Sequence, residues 1–96
     1  MRVLVLGRHP AMLQSALQRL TDQGYVATGY TTDAETLGAL QTGAIDLVVI
    51  GGGVEAASRH QVKAAAAQMT PPPQVIDVYG PHHLIEAVNA ARAATI

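Results

Sequence analysis

The sequence predicts an α/β fold in three layers, a four-stranded parallel sheet with helices on both faces. Three observations carry the prediction. The apolar runs Val3-Leu4-Val5-Leu6 and Leu47-Val48-Val49-Ile50 are continuous, not alternating, the pattern of strands covered on both sides. Between the strand-like stretches lie segments whose apolar residues recur three and four apart, the period of a helix with one buried face. Strand and helix signals alternate strictly across short connections, which leaves parallel pairing through crossover helices, expected to be right-handed.

Each element has its own signal. Strand one is Val3 to Leu6, closed by Gly7. The first helix starts at Pro10, whose missing N–H costs nothing in a first turn, runs through Met12, Leu13, Ala16, Leu17 and Leu20, and should stop at Gly24 in a C′ position. Strand two is Tyr25 to Tyr30. Thr32-Asp33-Ala34-Glu35 matches the Ser/Thr-x-x-Glu capping box, so a second helix should begin there, each cap side chain satisfying the other's backbone N–H, and end near Gly43. Ile45 to Ile50 is strand three. Val54 to Met69 has the spacing and alanine content of a third helix, and Pro71-Pro72-Pro73 forbids its continuation. Val75 to Tyr79 is strand four, Gly80-Pro81 a turn, and Leu84, Ile85, Val88 and Ala91 the inner stripe of a last helix. Four βα units in this order imply the flavodoxin-like strand order 2-1-3-4.

The 96 residues suit one domain, residues 1–96, and 49% apolar against 14% charged residues places the chain among globular proteins. A formal net charge of −1, with six Lys and Arg scattered along the chain, offers no electrostatic footprint for nucleic acid or an anionic membrane. Cysteine is absent, which removes disulfides, thiolate metal sites and Cys nucleophiles together. The apolar start is too short for a signal peptide and no run approaches a membrane span, so a cytoplasmic protein is expected.

Open parallel sheets gather ligands outside the carboxyl ends of their strands. That rim should unite Gly7-Arg8-His9-Pro10, Thr31-Thr32-Asp33, Gly51-Gly52-Gly53 and Gly80-Pro81-His82-His83. If it holds a ligand, Gly7, Arg8, His9, Gly51, Gly52 and Gly53 are the residues to do so, because glycine admits close backbone approach and free N–H groups with an arginine suit a phosphate or carboxylate. A plain tight turn is the alternative, since neither G-x-G-x-x-G nor G-x-x-x-x-G-K-[ST] is present. His9, His82 and His83 lack the Cys or clustered carboxylates that would complete a metal shell, and His60 belongs on a solvated helix face. No metal or other cofactor is expected. Ser15 and Ser58 lie outside any nucleophile-elbow pattern, and Asp22, Asp33, Glu35, Asp46, Glu55, Asp77 and Glu86 are dispersed. Catalytic residues are therefore not expected.

Val3-Leu4-Val5-Leu6, Leu17-Gln18-Arg19-Leu20 before Gly24-Tyr25-Val26, Thr32-Asp33-Ala34-Glu35-Thr36-Leu37 and Asp46-Leu47-Val48-Val49-Ile50 together resemble the receiver domain of bacterial response regulators over about the first fifty residues. Val78-Tyr79-Gly80-Pro81 with His83-Leu84-Ile85-Glu86-Ala87-Val88 resembles the receiver's last strand and helix. The resemblance implies an acidic pair where Gly7-Arg8 stands, a phosphoacceptor Asp where Gly51 falls, a Lys at Gly80, and one further βα unit that this chain lacks. A four-stranded parallel sheet with Val75-Ile76-Asp77 in its fourth strand also resembles the small IIB components of sugar phosphotransferase systems, which implies a phosphorylated Cys that is missing here. An aspartyl phosphate needs a carboxylate nucleophile and Mg²⁺ held by acidic oxygens. The expectation is thus a pseudo-receiver, a non-catalytic signalling or protein-interaction module, with binding of a small anionic ligand or nucleotide at the rim as the alternative. Its fourth strand should be an edge. Gln74 to Tyr79, presenting Val75, Asp77 and Tyr79, is expected to pair with a second copy across a two-fold axis, giving a homodimer beside a protein partner of unknown identity.

Overall fold

Val3–Leu6 and Leu47–Ile50 are all at most 4% exposed, so the two runs lie at the centre of the sheet with helices on both sides. The computed structural model describes residues 1–79 and 83–94. In chain order the elements are β1 (Arg2–Leu6), α1 (Pro10–Asp22), β2 (Val26–Tyr30), α2 (Asp33–Thr42), β3 (Leu47–Gly51), α3 (Ala56–Ala67), β4 (Gln74–Val78) and α4 (Leu84–Ala94). The strands form one sheet in the order β2-β1-β3-β4, every neighbouring pair parallel. This is the flavodoxin-like arrangement. The Gly80-Pro81 turn and His82 lie outside the described residues.

The alternation of side chains along each strand divides the core in two. Val3, Val5, Leu47, Val49 and Val78 face Leu13 and Leu20 of α1 and Leu84, Val88 and Ala91 of α4. Leu4, Leu6, Val48 and Ile50 face Leu40 of α2 and Val62 of α3. Each of the larger buried side chains contributes roughly 1.5–3 kcal/mol relative to exposure. The buried Thr36 hydroxyl donates to the Thr32 carbonyl at 2.9 Å, and among the described residues no buried side-chain polar atom lacks a partner.

Local chemistry sets the element ends. Gly24 has φ +89° at C′, and the N–H groups of Gly24 and Tyr25 donate to the carbonyls of Thr21 (2.9 Å) and Leu20 (3.1 Å), a Schellman motif. Tyr25 thereby belongs to the α1 cap and not to β2, and its buried ring joins the α1/α4 core while its hydroxyl meets Asn89. The capping box at α2 is modified. Thr32 Oγ1 accepts from the Glu35 N–H at 3.3 Å, but the Glu35 carboxylate accepts from the Thr32 hydroxyl at 2.7 Å instead of from the backbone N–H. α3 starts two residues later than its spacing predicts, because Val54 is drawn into the core and Glu55 turns its carboxylate toward Arg8. β4 runs one residue earlier than expected, with Gln74 opposite Leu47, and leaves Tyr79 beyond the strand.

Gly29 shows where packing requires a missing side chain. A Cβ there would stand 2.7 Å from Leu13 Cδ1, 3.1 Å from Leu17 Cδ2 and 3.1 Å from the Val5 carbonyl oxygen, because α1 presses directly on β2. Gly38, exposed on α2, would meet nothing within 4 Å. Gly29→Ala should therefore destabilise the protein by about 1–3 kcal/mol through overpacking, whereas Gly38→Ala should stabilise it by about 0.5–1 kcal/mol through helix propensity. Urea unfolding of both variants checks the opposite signs.

Candidate functional site

Chain direction places every β-to-α connection on one rim, and the strand order reverses between β1 and β3. Gly7, Arg8 and His9 follow β1; Gly51, Gly52 and Gly53 stand at the end of β3; all six line one cavity of about 360 Å³. Gly51 is the last residue of β3, paired with Val78, and only Gly52 and Gly53 form the turn proper. A Cβ on Gly51 would sit 3.3 Å from the Leu6 carbonyl oxygen, and one on Gly52 3.4–3.5 Å from Tyr79. The glycines thus let three strand ends close together.

Arg8 turns away from the glycine turn. Its Nη1 donates to the Thr31 carbonyl at 2.7 Å; its Nη2 reaches Asp33 Oδ1 at 2.6 Å, Glu55 Oε2 at 3.1 Å and Ser58 Oγ at 3.0 Å; its Nε donates to Glu55 Oε1 at 3.2 Å. Ser58 has one hydroxyl proton. It goes to Asp33 Oδ2 at 2.7 Å, the shorter of two carboxylate contacts. One guanidinium therefore joins the loops after β1, β2 and β3, and it faces two carboxylates, so the group is net acidic. Hydrogen bonds from Ser58 and then Arg8 hold the Asp33 carboxyl below its ordinary range, and Arg8 does the same to Glu55. The guanidinium itself is bound still more firmly to its proton, chiefly by Glu55.

His9 serves as the N-cap of α1, with Nδ1 accepting from the Met12 N–H at 3.4 Å. His83 approaches Glu86 at 3.9 Å and both are exposed, while His60 lies on the exposed face of α3. Among the described residues no group of three or more His, Asp or Glu side chains is placed to hold a metal. No described helix is long and apolar enough to cross a membrane.

A second charged group ties β4 to α3. Arg59 Nη1 bonds Asp77 Oδ1 at 2.5 Å, Nη2 the Gly51 carbonyl at 2.6 Å and Nε the Val54 carbonyl at 2.9 Å, while its guanidinium lies 4.8 Å from the Tyr79 ring centroid. Lys63 bonds Asp77 Oδ2 at 2.8 Å and is the main cause that lowers the Asp77 pKa, with Arg59 second. Val75 packs on the α2/α3 core, and Tyr79 stands exposed past the strand end. The three residues assigned from sequence to the edge are thus on the α3 side of β4.

Sequence reading missed the grouping of Asp33, Glu55 and Ser58 on Arg8. The available signal was positional: Arg8 and Glu55 fall between a strand and the helix after it, and Asp33 opens α2. Comparison with protein-family models and with curated proteins returns no match.

The pH response follows from the three depressed carboxyl values. Their ordinary values are 3.8 for Asp33 and Asp77 and 4.5 for Glu55. Below these the unfolded chain takes up protons before the folded chain does, so the stability they confer is present above pH 4.5 and is lost as pH falls through the lower folded values. Arg8→Gln should lower stability near neutrality and flatten the acid limb in part, leaving the contributions of Asp77 and of the Ser58 hydrogen bond to Asp33. Thermal unfolding measured from neutral pH into the acid range, in both proteins, checks this.

Proposed function

We propose that the protein is a receiver-like interaction module that acts by non-covalent association and has no phosphotransfer chemistry. The observation that supports this reading is the state of the rim. Where the resemblance implies a phosphoacceptor Asp, Gly51 is a paired strand residue, and the rim carboxylates Asp33 and Glu55 are already satisfied by Arg8 and Ser58. A nucleophilic carboxylate must have a free oxygen facing its substrate, and a magnesium site needs several acidic oxygens on the ion. Here a guanidinium occupies that position among them.

The associating surface in this reading is β4. It pairs with β3 alone, four of its five residues are half-buried, and its outer edge presents unpaired backbone groups. Asp77 is ion-paired within its own subunit with Arg59 and Lys63, so two β4 strands can approach without opposing bare carboxylates. An antiparallel pair centred on Ile76 sets Val75 opposite Asp77 and Gln74 opposite Val78, which avoids an Asp77–Asp77 pair. The partner is a second copy, and the product is a continuous sheet across a two-fold axis.

Two experiments test the reading. Incubation with acetyl phosphate and Mg²⁺ should leave the intact mass unchanged; a phosphoryl adduct on an aspartate refutes the loss of phosphotransfer. Size-exclusion chromatography with light scattering should give a dimer that dissociates on dilution, and a monomer at every accessible concentration refutes the β4 pairing.

A further inference from the structure

We infer that the cavity between α1 and α4 is a binding site for a compact, uncharged, mainly apolar molecule. Val5, Val49 and Val78 form its floor, Leu13 and Ala16 of α1 one wall, and Leu84 of α4 the other. The space is a cleft of about 360 Å³, open to solvent on its outer side. It lies within the range of roughly 300–1,000 Å³ common for small-molecule sites.

Position supplies an independent argument. The cavity opens where the connections from β1 and β3 diverge, the switch in strand order at which open parallel sheets bind their ligands. Electrostatics selects the class of occupant. Arg8 lines the cavity, but its Nε, Nη1 and Nη2 are all directed to Thr31, Asp33, Glu55 and Ser58, and Arg19 on the outer wall also has a partner. An anion entering here meets an acidic group whose one cation is engaged. An uncharged molecule loses nothing by that, and gains the apolar floor. Met12, 53% exposed at the solvent side, supplies a flexible thioether that a bound molecule would cover.

Methyl and amide NMR of the whole chain, titrated separately with indole, xenon and inorganic phosphate, tests the assignment. Indole and xenon should shift the methyl signals of Leu13, Val49, Val78 and Leu84 saturably, and phosphate should not displace indole. Ala16→Phe, which places a ring inside the cavity, should weaken indole binding by about tenfold or more. Met12→Gln alters an exposed helix position, leaves the core intact and should weaken binding as well, so the test survives a folding defect in the first variant. Three results overturn the inference: indole leaves these methyls unmoved; its shifts persist in both variants; or phosphate alone moves Gly51–Gly53. Concentration-dependent shifts of the same methyls without added ligand would assign the cavity to a second copy and overturn it too.

Discussion

The structure depends on the burial of β1 and β3 on both faces. A strand with no solvated side must be apolar at every position, and Val3–Leu6 with Leu47–Ile50 meet that demand while their backbone groups are satisfied by the ladder. Two-sided burial in turn requires a helical layer on each side, and α1 with α4 and α2 with α3 provide them. With the sheet faces closed to water, polar chemistry is confined to the strand ends and to the outer strands. All the charged groupings of this protein described above lie there.

The Arg8 group shows how such a rim is stabilised. A planar guanidinium with acceptors on several sides binds three connections at once. An isolated surface ion pair contributes little, but a connected group with a partly buried hydroxyl and shared acceptors holds its geometry better. The same arrangement settles the electrostatics of the neighbouring space. Charge that could have held a substrate or a metal is spent on joining loops, and the lining of the cavity is mainly apolar, with His9, Ser15 and Arg19 among its outer residues.

β4 serves three surroundings with five residues. Val78 contributes to the cavity floor, Val75 to the α2/α3 core and Asp77 to the ion pairs on α3. Arg59 couples these regions, since it also donates to the Gly51 carbonyl at the rim, at 2.6 Å. A domain of this length buries a smaller share of its surface than a larger one, and its stability is correspondingly modest. Association along the outer edge of β4 and occupation of the cavity would both favour the folded state by mass action.

Much of the architecture was legible in the chain itself. Continuous apolar runs separate buried parallel strands from helices because the two have different side-chain periods, Pro10 and Gly24 mark helix ends through their backbone chemistry, and β/α alternation leaves few topologies. Gly7, Arg8, His9, Gly52 and Gly53 were legible at the rim for the same reason, as each follows a strand, whereas Gly51 ends one. What tertiary structure alone decided is which way the rim side chains point. Arg8 and Glu55 are separated by 47 positions in sequence, and no local pattern states that they meet; only the packing of α2 and α3 on one face brings Asp33, Glu55 and Ser58 around one guanidinium. The shape of the cavity is likewise a property of α1 and α4 packed together, and neither helix specifies it alone.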